Sequence, residues 1–81
     1  MTIKFYGADW CPDCRRSKRL LEATGTPFDF FDIDQDERSR DYMVRLQSGG
    51  TTIPTIVFDD GSFLVEPTDA ELSEKLNGQS S

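Results

Sequence analysis

Two cysteines separated by a proline and an aspartate, Cys11-Pro12-Asp13-Cys14, limit this chain more than any other feature. They follow a stretch that alternates apolar and polar residues, Thr2 to Tyr6, which reads as a strand, and the loop Gly7-Ala8-Asp9-Trp10. Pro12 then marks a helix start, because the missing N–H of proline costs nothing in the first helical position. A C-x-x-C pair where a strand and loop hand over to a helix points to thiol redox chemistry.

The spacing has a physical reason. With Cys11 at the helix cap and Cys14 three residues on, the two sulfurs come close enough to bond, and the N–H groups of the first turn face Cys11. Negative charge at an exposed helix N-terminus is favoured by about 0.3–1 kcal/mol. Arg15, Arg16, Lys18 and Arg19 crowd the same helix and reinforce this. Asp13 opposes it, since two like charges at about 7 Å in an effective dielectric near 40 repel by roughly 1 kcal/mol. The attractive contributions are expected to win and to hold Cys11 ionised, with Asp13, Arg15 and Arg16 tuning it. Cys14, one turn inside and without that exposure, is expected to stay a thiol at rest.

The rest of the chain reads as alternating helices and strands. Arg15 to Thr24 continues the first helix, with Gly25 and Pro27 as its stop. Phe28-Asp29-Phe30-Phe31-Asp32-Ile33 is aromatic and β-branched, a second strand joined to the first by a right-handed helical crossover and therefore parallel to it. Its aromatic residues, and Met43, are expected in the core. Asp34 or Asp36 can cap a second helix running to about Ser48, with Tyr42, Met43 and Leu46 on one face. The remaining acidic run, Asp32 to Glu37, reads as solvated loop. Thr55 to Phe58, the turn Asp59-Asp60-Gly61 and Ser62 to Val65 form an antiparallel hairpin. Thr68 or Asp69 starts a last helix that Asn77-Gly78 closes. The order is βαβαββα, one domain over residues 1–78 followed by a polar tail, 79–81.

Composition closes off other functions. The 81 residues suffice for one small core. A net charge of -6 argues against nucleic acid, whose binding rests on Lys and Arg neutralising phosphates. No run approaches the roughly 18 apolar residues of a membrane span, and the first residues lack a secretory pattern, so a cytoplasmic protein with no membrane partner is expected. The absence of histidine removes Cys-His catalysis and imidazole-based zinc sites. Two cysteines alone fall short of a zinc site, so no metal is expected. Two copies pooling four thiolates, or two with two external thiols, around an iron–sulfur cluster remain as an alternative that Pro12 disfavours.

Other residues carry alternatives of their own. Thr52-Ile53-Pro54 precedes the apolar strand; Pro54 is either a plain strand-start proline or a cis-proline that turns Ile53 toward Cys11 to pair with an extended substrate. Trp10 flanks a substrate or merely covers its loop. The basic face of the first helix is solvated or steers an acidic thiol.

Together, Trp10-Cys11-Pro12-Asp13-Cys14, Thr52-Ile53-Pro54 and the following hairpin resemble the glutaredoxin family from Ile3 to Leu76. Asp60-Gly61-Ser62 with Glu66-Pro67-Thr68-Asp69 looks most like its mycoredoxin branch, which reduces mixed disulfides between proteins and mycothiol. The resemblance implies a thioredoxin-like α/β fold with three helices and a four-stranded mixed sheet of order 2-1-3-4. It implies Cys11 as nucleophile, Cys14 as resolving thiol, Ile53 and Pro54 as a backbone clamp, with Trp10, Pro12 and Thr52 beside the substrate. Thr68 and Asp69 would form the polar end of the small-thiol site.

Two departures stand out. Glutathione-using relatives usually carry a Gly-Gly pair where Val65 and Glu66 stand, which favours mycothiol over glutathione as co-substrate. Asp13 stands where a tyrosine is common. No tightly bound cofactor is implied, and a monomer acting on thiolated or disulfide-containing client proteins is expected. The rival readings are a redoxin recharged by a flavin-dependent reductase, thioredoxin reductase, that feeds ribonucleotide reductase, and an iron–sulfur carrier.

Overall fold

A computed structural model describes residues 3–79. Four strands, β1 (Ile3–Gly7), β2 (Phe28–Asp32), β3 (Thr55–Val57) and β4 (Phe63–Val65), alternate with α1 (Pro12–Ala23), α2 (Glu37–Leu46) and α3 (Asp69–Gln79). The strand order is β2-β1-β3-β4, with β1 parallel to β2 and both other pairings antiparallel. This is the expected mixed sheet.

The period-two alternation of β1 sorts the core into two layers. Ile3 and Phe5 face one side, where Leu21 of α1 and Leu72 and Leu76 of α3 cover them, together with both cysteines and Ile56. Tyr6 faces the other side, against Met43 of α2, Ile33 and Val57. Each fully buried apolar side chain contributes about 1.5–3 kcal/mol, so the sheet centre around Phe5 and Ile56 carries much of the stability. Phe28, Phe30 and Phe31 pack against these clusters but are only half-buried. The reading of them as core is corrected: β2 is an edge strand, and its outer flank faces solvent.

Element ends follow local chemistry. Asp36, not Asp34, caps α2, accepting from the Arg38 and Ser39 N–H groups at 3.1 and 3.4 Å. That helix stops at Leu46, earlier than expected, because Ser48 and Gly49 adopt left-handed φ of 55° and 102°. α3 continues past the expected stop at Gly78, which lacks the positive φ of a glycine cap, and takes Gln79 from the expected tail. Thr2, the first residue of the expected strand, and Ser80 and Ser81 lie outside the described residues. Among the described residues no helix is long and apolar enough to cross a membrane.

Candidate active site

β1 ends at Gly7 and delivers the chain to Cys11, the N-cap of α1, with Pro12 in the first helical position. The Cys11 N–H donates to Ala8 C=O at 3.2 Å, closing the intervening loop as a turn. Arg15 holds that loop from the helix side: its Nε donates to Asp9 C=O at 2.8 Å and a terminal nitrogen reaches Trp10 C=O at 3.5 Å. Lys18 adds an ion pair to Asp9 at 3.2 Å.

Both sulfurs belong to free thiols in the buried cluster. Cys14 is wholly inaccessible at 0%, whereas Cys11 retains 7%. The exposed position expected for Cys11 is therefore corrected: the helix cap sits on the core, leaving only an edge of the residue open. No side-chain capping bond is made by Cys11, so the first-turn N–H groups face it without closing on it. Cys14 packs on bare backbone, since a Cβ at Gly7 would lie 2.7 Å from its Sγ. Burial pushes the Cys14 thiol up to about 12; a backbone hydrogen bond from Ala8 pulls it down, while the hydrogen bond to Cys11 and the charges of Cys11 and Asp13 push it up. Cys14 is a protonated thiol at neutral pH, as the sequence leads one to expect.

The segment before β3 packs beside this pair. Ile53 packs against the cluster that holds both cysteines, and the Ile53–Pro54 bond is cis. Pro54 C=O accepts the Glu66 N–H at 2.7 Å. Glu66 itself stands at a left-handed φ of 48°, a conformation that favours glycine. No hydrogen bond to the Ile53 backbone is present among the described residues.

Arg16 joins α1 to the start of α3. It pairs with Asp13 at 3.0 Å and Asp69 at 3.4 Å, and donates to Pro67 C=O at 3.3 Å. Asp13, Arg16 and Asp69 are thus brought together, and Asp13 carries a cationic partner of its own. Thr68 caps α3 in a reciprocal capping box: its hydroxyl accepts the Glu71 N–H at 3.1 Å, and Glu71 Oε1 accepts the Thr68 N–H at 2.8 Å. Trp10, 63% exposed, is tied by its indole N–H to Asp34 at 2.7 Å. It leans toward the β2–α2 loop; Pro12 is exposed beside it.

Sequence reasoning missed Gly7, Asp34 and Gln47, which binds Thr52. The Thr68–Glu71 capping box did have a sequence signal, a threonine three residues before a glutamate. Among the described residues no three His, Cys, Asp or Glu side chains converge as a metal site.

A pair of free thiols at the start of α1, Cys14 sealed and protonated and Cys11 buried but for a narrow open edge, marks a thiol–disulfide oxidoreductase. The family model described as Glutaredoxin matches residues 3–63, and the chain belongs to the glutaredoxin family. Mycoredoxin 1 of Corynebacterium glutamicum is 32% identical over 74 residues, 91% of each chain. Among solved structures, a glutaredoxin from Archaeoglobus fulgidus superposes with a TM-score of 0.75 at 24% identity, covering 91% of this chain and 84% of its own. The NrdH-redoxin of Escherichia coli superposes with a TM-score of 0.76 at 22% identity, covering 91% and 93%. These two share the fold. As a glutaredoxin, the protein works with small thiols and with disulfide-containing partners.

Proposed function

We propose that the protein removes a small thiol from protein mixed disulfides, with Cys11 as the attacking thiolate, and that mycothiol serves it better than glutathione. The observation that carries this reading is the inequality of the two sulfurs: Cys14 is sealed and held protonated, and Cys11 alone keeps accessible surface.

Cys11 attacks the small-thiol sulfur of the mixed disulfide; that S–S bond breaks, and the released protein thiolate takes a proton from solvent. The small thiol is left bound to Cys11. A second small thiol then attacks its sulfur, giving the symmetric small-thiol disulfide and freeing Cys11. Alternatively Cys14 loses its proton, attacks Cys11 and expels the small thiol, leaving a Cys11–Cys14 disulfide. Ile53, whose backbone makes no hydrogen bond among the described residues, clamps an extended client beside Cys11. Trp10, Pro12 and Thr52 lie on the client's side of this reading, and Thr68 and Asp69 form the polar end of the small-thiol site.

Preference for mycothiol is supported by the likeness to Mycoredoxin 1 and by Glu66, whose carboxylate stands where glutathione-using relatives place glycine and would repel glutathione's carboxylates. The protein acts as a cytoplasmic monomer with no resident cofactor, drawing electrons from the thiol pool.

The test is a coupled reduction assay in which mycothiol, glutathione or thioredoxin reductase supplies electrons. Turnover with mycothiol should exceed the other two, and Cys14→Ser should retain it while Cys11→Ser abolishes it. Equal or faster turnover with glutathione, or turnover with thioredoxin reductase alone, would overturn the thiol assignment; loss of all activity in Cys14→Ser would overturn the monothiol route.

A further inference from the structure

Thr52 lies outside every strand, since β3 begins at Thr55, yet its backbone is bonded as though it had a ladder partner. The partner is a side chain. Gln47 Oε1 accepts the Thr52 N–H at 3.1 Å, and Gln47 Nε2 donates to Thr52 C=O at 2.8 Å. A primary amide carries the same donor and acceptor as a peptide group, so it can stand in for one residue of an adjoining strand. The same Nε2 donates to Thr55 Oγ1 at 2.7 Å, and the Thr55 hydroxyl donates to Thr52 C=O at 3.0 Å.

The arrangement is anchored at both ends. Gln47 is the C-cap of α2, where its own N–H bonds to Met43 C=O at 3.2 Å, and both Met43 and Thr55 are fully buried. Gly50 makes room for it: a Cβ there would lie 2.8 Å from Gln47 Oε1 and 3.1 Å from Gln47 Cβ. The turn after α2 thus folds back so that one amide fixes the residue immediately before Ile53.

We infer that Gln47 is a positioning residue for client proteins: by holding Thr52 it aims the N–H and C=O of Ile53, unbonded among the described residues, at the client's backbone. The inference rests on the reading of Ile53 as a backbone clamp. It confines the effect of Gln47 to substrates that have a peptide backbone to pair.

Three disulfides test it: a short cysteine peptide linked to 2-mercaptoethanol, the same peptide N-methylated at the amides flanking its cysteine, and bis(2-hydroxyethyl) disulfide, which has no peptide group. Wild-type protein should show a KM about tenfold lower for the plain than for the methylated peptide, the size of one or two net hydrogen bonds. Gln47→Met, close in volume but without donor or acceptor, should raise the KM of the plain peptide by about tenfold to meet the methylated one. Its kcat and its rate with bis(2-hydroxyethyl) disulfide should stay unchanged. Gly50→Ala, which crowds the amide without removing it, should give the same split, and it carries the test if Gln47→Met does not fold. Wild-type discrimination that persists undiminished in the variants would overturn the role of Gln47 and leave the clamp standing. Absence of discrimination in the wild type would overturn the clamp reading, and with it the inference. Equal loss toward all three substrates would assign Gln47 a merely structural role.

Discussion

Gly7→Ala probes how tightly the dithiol is seated. An alanine Cβ there would fall 2.7 Å from Cys14 Sγ and 3.0 Å from Phe5 Cε1. Comfortable contacts lie at about 3.5–4.0 Å, so the sulfur would have to retreat by roughly 1 Å. Both neighbours are fully buried, and Cys14 is fixed in the first turn of α1. Gly7 is not among the residues with positive φ, so alanine meets no backbone strain, and on its own the substitution would stabilise by about 0.4–1 kcal/mol through the unfolded chain. Overpacking costs about 1–3 kcal/mol. The net is a destabilisation of about 1–2 kcal/mol, or a Tm lower by roughly 4–16 °C in a domain of this size. Thermal unfolding of the reduced protein, followed by circular dichroism, measures it. In a Cys14→Ala background the same change should cost about half as much or less, because the principal clash is gone. A Gly7→Ala Tm at or above the wild-type value, or an undiminished drop in the Cys14→Ala background, would refute the reasoning.

Two further expectations are cheaper to check. Hydrogen bonds hold the Asp36 carboxylate, chiefly from Ser39, and the Glu71 carboxylate, from Thr68, below the usual carboxylate range. A depressed folded-state pKa gives stability that is complete above the unfolded value, about pH 4, and is lost as pH falls through the folded one. Tm should therefore fall from pH 5 toward pH 3, less steeply in the Asp36→Asn/Glu71→Gln double variant; identical slopes would contradict the assignment. Asp34→Ala should free the chain's single tryptophan, raising acrylamide quenching and lowering fluorescence anisotropy with little change in Tm. An unaltered indole signal would show that the Trp10–Asp34 bond does not hold the ring.

What could be read from the sequence was what depends on punctuation and period. Gly25 with Pro27 and Asp59-Asp60-Gly61 marked the element ends, and alternation marked β1 as a strand, while its place at the sheet centre followed from the glutaredoxin resemblance alone. The cysteines announced themselves by spacing. The polar scaffold around them did not, because it pairs residues whose separation obeys no period: Trp10 with Asp34, Arg16 with Asp69, Gln47 with Thr52. Each looks like an ordinary solvated side chain until the fold brings its partner near. The aromatic run Phe28 to Phe31 misled for the opposite reason. Its composition reports strand formation truthfully, but not whether the strand lies at the centre or the edge of the sheet.

The split between legible and hidden parts also separates two kinds of change that the protein tolerates differently. Cys11 and Cys14 share one buried cluster with Phe5, Leu21 and Leu72, so a substitution beneath them alters stability and sulfur placement together. The polar surface around the start of α1 is held by exposed ion pairs of small individual worth, typically about 0–1 kcal/mol. Asp13 shows the consequence: an acidic residue between two cysteines is tolerated because Arg16 answers it from the next turn and ties it to Asp69. Changes at Trp10, Asp13, Glu66 or Asp69, none of them buried, can thus leave the seat of the dithiol, built on Gly7 and the sheet centre, as it is.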